Sequence, residues 1–282
     1  MDTAVRLHDV APRRSPMVHL TPVRAGQTST LSDLLHLMGA GADAQGPLAG
    51  TPIPLRFLHA GDTLFHEGAP AEAIYFVRAG TFKTLRTAED GYEQVLGFVG
   101  RAEVLGFDAL CRGRHPSAAV ALEDSSVYVV LANDVLSLGQ RLPALDRIVH
   151  LAVSAALTHR GEVADVMAAV AAEVRLARFL VQLSRRMAEC GQASRRFHLR
   201  MSRRDIASHL GVAHETVSRS FTALADWGFV RVDNREVEIL DLDALKELSR
   251  STRRQVDEPV RGHALNAPGR LDVRPEVRAN AT

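Results

Sequence analysis

The chain has 282 residues, 46% of them apolar, with a formal net charge of +1, a composition and length suited to two soluble domains that each hold a core. Its 2 cysteines exclude a disulfide framework, a four-cysteine zinc site and a thiolate-held cluster within one chain. No apolar run approaches the ~18 residues of a membrane span, and Arg6, Arg13 and Arg14 precede no apolar leader region, so a cytoplasmic protein with no membrane partner is expected.

Residues 1–54 read as a flexible segment that contains one short helix. Pro12, Pro16, Pro22 and scattered charge give no periodicity at its start. After Thr30, the run LSDLLHLM places Leu31, Leu34, Leu35 and Met38 on one helical face. Residues 39–54, rich in Gly, Ala and Pro, read as a loop.

From residue 55 to about 134 the pattern changes to short strands at 56–59, 63–65, 74–77, 81–87, 94–99, 117–122 and 126–131. Glycine turns separate many of them. Such spacing predicts an antiparallel sandwich or small barrel. Neither GxGxxG nor GxxxxGK[ST] occurs. His59, His66 and His115 lack metal-site spacing, and no Ser–His–Asp or Cys–His set stands out, so an enzyme is not expected.

A short helix at 135–140 precedes a long one at 143–170, opened by Pro143. Leu145, Ile148, Val149, Ala152, Ala155 and Ala156 form its apolar, small-residue stripe, continued by Val163, Val166, Met167 and Val170. Pairing with the same helix of a second chain is the favoured use of that stripe, and burial inside one chain is the alternative. A two-fold axis along it would also present everything that follows in the chain in duplicate.

A helix at 173–189 turns Leu176, Phe179, Leu180 and Leu183 inward. Cys190 follows it beside several arginines, which makes it a candidate redox thiol with a lowered pKa. A short strand at 197–199 leads into MSRRDIASHLGVAHETVSRSFTALADWGF, residues 201–229. Ser202 with Asp205 forms a capping box, Ile206, Ala207 and Leu210 give an apolar face, and Gly211 supplies the corner. The second helix, from about 213 to 226, buries Val217, Phe221 and Leu224 and turns Glu215, Ser218, Arg219 and Thr222 outward. This is a helix-turn-helix whose polar stripe suits a major groove. VRVDNREVEIL, residues 230–240, alternates about Asp233 and Asn234 as a hairpin wing. Between Arg175 and Arg235, twelve arginines face five acidic residues, an electrostatic footprint for phosphates. Arg195, Arg196, Arg200, Arg203, Arg204 and Thr216 are the candidate phosphate contacts. A short helix at 242–248 closes this unit, and residues 249–282 read as a disordered tail.

Several runs together carry a resemblance: LGFDAL (105–110), GRHPSAAVALE (113–123), EVRLARFLVQLSRR (173–186) and MSRRDIASHLGVAHETVSRSF (201–221). With sandwich, long helix and winged helix in this order, the chain resembles the cyclic-AMP receptor protein / fumarate and nitrate reductase regulator (Crp/Fnr) superfamily, and most of all its FNR branch. The resemblance covers about residues 61–248. It implies an α+β fold: a jelly-roll sensor domain of the cyclic-nucleotide-binding type (55–134), a dimerisation helix region (135–171) and a winged helix-turn-helix (172–248).

It also implies a homodimer that regulates transcription from double-stranded DNA with TTGAT-type half-sites, and that contacts RNA polymerase through the hairpin at 87–94. The family's E-x-x-S-R reader falls on Glu215, Ser218 and Arg219. His214 departs from the small or apolar residue usual there and adds a fourth candidate base contact. The iron–sulfur branch needs cysteines that are missing here: residues 26–35 hold none, and Tyr128 replaces the one in the sensor domain. Cyclic AMP is not expected either, because Phe107 and Pro116 occupy the places of the family's ribose-binding Glu and phosphate-binding Arg, with Arg112 and Arg114 nearby. No cofactor is assigned. A haem-dependent regulator responsive to nitric oxide or redox state is the alternative, with His59, His66, His115, His150 and His159 as candidate imidazoles.

Overall fold

A computed structural model describes residues 29–40 and 48–251. The expectations for residues 1–28, for 41–47 and for the tail from 252 onward lie outside the described residues.

The β region is a sandwich. One four-stranded sheet has the order β1 (Leu55–Leu58), β8 (Ser125–Leu131), β3 (Ala73–Ala79), β6 (Val104–Leu105); the other runs β2 (Thr63–Phe65), β7 (Ala118–Ala121), β4 (Phe82–Thr87), β5 (Glu93–Val99). All recorded pairings within both sheets are antiparallel. β8 is buried on both faces, and the period of two sends its successive side chains to opposite sides. Val127 and Val129 point between the sheets with Leu58, Phe65 and Phe82, whereas Tyr128 and Val130 point the other way. β3 divides likewise, Val77 to the inner core and Ile74 and Phe76 to the outer one.

Two helices cover that outer face. α1 (Leu31–Leu37) starts at a capping box between Thr30 and Asp33 and buries Leu31, Leu34 and Leu35 completely. The N-terminal segment is therefore not free as far as residue 54: its helix is part of the sandwich core, because three leucines on one face need a partner. After α2 (Ala132–Arg141), α3 (Pro143–Ala168) lays its first turns on the same face.

This placement gives the first part of the α3 stripe a partner within the chain. Leu145 and Ile148 are 0% and 2% exposed and pack with Leu31, Phe76 and Tyr128. Val149 and Ala152 pack against the same cluster, whereas Ala156 and the exposed Ala155 line a cavity beside it. The opposite face carries Leu151 and Leu157, 57% and 62% exposed, flanking Ser154, Thr158 and Gly161.

The reader unit comprises α4 (Ala172–Glu189), β9 (Arg196–His198), α5 (Arg203–Leu210), α6 (His214–Asp226), the hairpin β10 (Val230–Asp233) and β11 (Glu236–Ile239), and α7 (Leu242–Arg250). β9 joins the hairpin as the third strand of a sheet. Leu176, Phe179 and Leu180 of α4 meet Ile206, Leu210, Val217, Phe221 and Leu224 in one core. That core also takes in Val95 and Phe98 of β5, so sensor and reader share packed side chains.

Candidate nucleic-acid interface

Local chemistry sets the corner between α5 and α6. Asp205 N–H donates to Ser202 Oγ at 3.0 Å, while Ser202 N–H and Oγ–H donate to the Asp205 carboxylate at 2.9 and 2.6 Å. Such a cap is worth about 1 kcal/mol. Gly211 ends α5 at φ +62, left-handed backbone open to glycine without strain. α6 then buries Val217, Phe221 and Leu224, which leaves His214, Glu215, Ser218, Arg219 and Thr222 exposed.

The exposed stripe is free to bind. Among the described residues neither Glu215 nor Arg219 is recorded in an ion pair, so the two do not neutralise each other across one turn. Ser218 and Thr222 turn their hydroxyls back to the carbonyls of His214 and Ser218, at 3.4 and 3.2 Å. Beside the N-terminus of α6 lies a cleft of about 430 Å³, walled by Ser202, Arg203, Arg204, His214, Asn234 and Arg235. Asn234 sits at φ +52 in the wing turn, a conformation asparagine tolerates.

The candidate phosphate contacts divide. Arg195, Arg196 and Arg204 are exposed with no recorded ion pair among the described residues, and Thr216 is half-exposed. Arg203 is placed differently: its guanidinium lies 3.5 Å from the centre of the Phe221 ring, and Nη2 donates to Asn234 O at 2.9 Å. It ties α5, α6 and the wing together, and burial lowers its pKa. Arg200 is held by Glu123 of the sandwich at 3.1 Å.

Other cross-links join the sandwich to α5, and none was expected from the sequence. Lys83 Nζ lies 2.8 Å from Asp205 and 3.6 Å from Glu93. Burial alone would raise the Asp205 pKa, but hydrogen bonds from Lys83 and Ser202 outweigh it and hold the carboxyl below its usual range. Val95 N–H donates to Ser208 Oγ at 2.9 Å, that hydroxyl donates to Glu93 O at 2.8 Å, and Gln94 Nε2 donates to Ser208 O at 2.7 Å. His209, 5% exposed, meets Phe98 and Phe179 edge to face. The sandwich partners of α5 lie over a hundred residues away in the chain, beyond any local pattern.

Cys190 is accessible but is not an activated thiol. Partial burial and the Glu103 carboxylate push its pKa up despite Arg186 and Arg101, which corrects the expectation of a lowered value. A carboxylate had been hidden among the arginines.

A cavity of about 370 Å³ lies between the second sheet and α3, lined mostly by apolar groups, with Leu96, Phe98, Phe107, Ser117, His159 and Arg160 in its wall. It does not fit a cyclic nucleotide. Phe107 offers no acceptor for a ribose hydroxyl, Arg160 is paired with Asp108 at 3.1 Å, and Arg114 donates outside the cavity to Gly68 O at 2.6 Å. Of the five candidate haem imidazoles only His159 lines the cavity; His115 stacks on Phe65 at 3.8 Å, and His59, His66 and His150 are exposed. Among the described residues no group of three His, Cys, Asp or Glu could hold a metal ion, and no helix is long and apolar enough to cross a membrane.

Comparison with known proteins bears on both halves. Residues 55–141 match the cyclic nucleotide-binding domain model, and residues 174–248 match the Crp-like helix-turn-helix domain model. The transcriptional regulatory protein btr of Bordetella pertussis is 38% identical over 188 residues, covering 67% of this chain and 78% of that protein. The fumarate and nitrate reduction regulatory protein of Escherichia coli is 35% identical over 193 residues, 68% and 77% of the two chains. Among solved structures, FixK2 from Bradyrhizobium japonicum is similar with a TM-score of 0.63 and 26% identity over 71% of this chain and 98% of that one.

Proposed function

Because the chain belongs to the Crp/Fnr superfamily of helix-turn-helix transcription regulators, we propose that it acts as a homodimer reading an FNR-like palindrome of TTGAT-type half-sites. The observation that carries this reading is the exposed outward stripe of α6, whose Glu215 and Arg219 have no recorded ion pair among the described residues. Arg219 offers a planar fork to guanine O6 and N7, Glu215 accepts from a cytosine amine, and Ser218 approaches a base edge, with His214 beside them. Arg195, Arg196, Arg204 and Thr216 supply contacts to phosphate that orient without specifying.

The dimer forms through the face of α3 that carries Leu151, Ser154, Leu157, Thr158 and Gly161, opposite the sandwich. Two recognition helices then stand about 34 Å apart, one turn of B-DNA. RNA polymerase is contacted by the β4–β5 hairpin, where Glu89, Asp90, Gly91 and Tyr92 are exposed.

Selection from a randomised duplex pool, followed by footprinting, tests the reading. It predicts an inverted repeat protected on both halves. Recovery of no sequence preference, or protection of a single half-site, contradicts it.

A second reading, a haem-dependent regulator of the same fold, has one observation behind it. His159 lines the cavity, and its Nε2 has no partner within the protein. An absorption spectrum of the purified chain separates the two, since a Soret band belongs only to the haem form.

A further inference from the structure

Glu123 holds two groups at once. One carboxylate oxygen accepts from Thr81 Oγ1 at 2.8 Å, and the other lies 3.1 Å from Arg200 Nε. Thr81 and Glu123 belong to the sandwich. Arg200 belongs to the reader, in the link between β9 and the cap of α5. Its neighbours Leu199, Met201, Ser202, Arg203 and Arg204 wall the cleft between the wing and the start of α6. Of the exposed candidate phosphate arginines, Arg195, Arg196, Arg200 and Arg204, only Arg200 has a recorded carboxylate partner among the described residues.

A carboxylate and a phosphate oxygen compete for the same guanidinium donors. We infer that Glu123 is an internal stand-in for DNA phosphate: it withholds Arg200 from the duplex while the reader is docked on the sandwich. Docking is held by other groups, the Lys83–Asp205 pair and the bonds of Ser208 to β5. Glu123 is therefore not needed to join the two units, and its charge lowers DNA affinity. Arg200 is released when the sandwich yields it, which makes the sensor domain a brake on the electrostatic part of binding.

This rests on the DNA-binding reading above, but phosphate contacts do not depend on sequence, so the test need not use the cognate site. The full chain and its Glu123→Gln variant are titrated with two duplexes of about 30 base pairs, the selected repeat and a scrambled duplex, from about 50 to 200 mM salt. The side-chain amide of that variant keeps an oxygen for Thr81 and removes the charge.

The variant binds both duplexes roughly two- to fivefold more tightly. Its plot of log affinity against log salt steepens by about 0.9 for each arginine released. Arg200→Ala alone changes affinity less than twofold, and Glu123→Gln with Arg200→Ala shows no gain. Glu123→Ala, which also loses the Thr81 bond, gives the same gain if it melts with the wild type. An unchanged slope, weaker binding by Glu123→Gln, or a gain that persists without Arg200 overturns the inference. Failure of every variant to bind either duplex at any salt overturns the DNA-binding reading along with it.

Discussion

Phe98 and His209 lie edge to face with ring centroids 5.2 Å apart, and Phe98 also lines the cavity beneath α3. One side chain thus belongs both to the wall of that cavity and to the core that holds the helix-turn-helix. Burial pushes the His209 pKa down to about 4, helped by His159 and Arg186 and opposed by its hydrogen bond to the Val95 backbone.

Stability therefore depends on pH in a stated direction. His209 is neutral in the folded chain, whereas the unfolded chain takes up a proton below its ordinary value of about 6.5. The contribution is complete above about 6.5 and is lost as pH falls toward 4, about 3 kcal/mol in all. His115 and His159, also lowered by burial, act in the same direction. Thermal melts between pH 7 and pH 4.5 check this: the melting temperature falls with acid, and His209→Phe shows a smaller fall. Equal falls in both proteins contradict the assignment.

The two faces of α3 separate by mutation. Leu145→Ala, inside the sandwich core, costs about 2–5 kcal/mol and leaves the dimer intact. Leu151→Glu with Leu157→Glu leaves the fold and yields a monomer, read by sedimentation. A dimer that survives the charged pair places the interface elsewhere.

The corner between α5 and α6 is similarly open to test. Gly211→Ala forces an L-residue to φ +62 and brings Cβ within 2.7 Å of Met167 Cε. Met167 ends a flexible side chain and can yield, so the backbone sets the cost, about 1–2 kcal/mol. Differential scanning calorimetry measures it directly, and an unchanged melting temperature would show that the corner tolerates a side chain.

Much of the reader was legible because its signals are local. The Ser202 and Asp205 cap, the Gly211 corner and the alternation about Asn234 are each written within a few residues, and the buried set Val217, Phe221 and Leu224 follows from a 3.6-residue period. β6, two residues long, carries no periodicity to detect. For α3 the sequence showed the apolar face and left two partners open, a second chain or the chain's own sheet: a helical period says which residues are buried, never against what. Leu145 and Ile148 meet α1 and β3, elements over sixty residues earlier. The docking of Ser208 on β5 and of Arg200 on Glu123 joins residues with ordinary surface chemistry, invisible until the chain is folded.

The most direct test concerns Arg219. Its Ala variant and that of Arg204 are titrated against the selected repeat and against duplexes substituted at each base pair of the half-site. Arg219→Ala is predicted to lose about 1–3 kcal/mol of discrimination at one base pair per half-site, while Arg204→Ala weakens every duplex alike. An equal loss on all sequences for Arg219→Ala would contradict base reading by the α6 stripe.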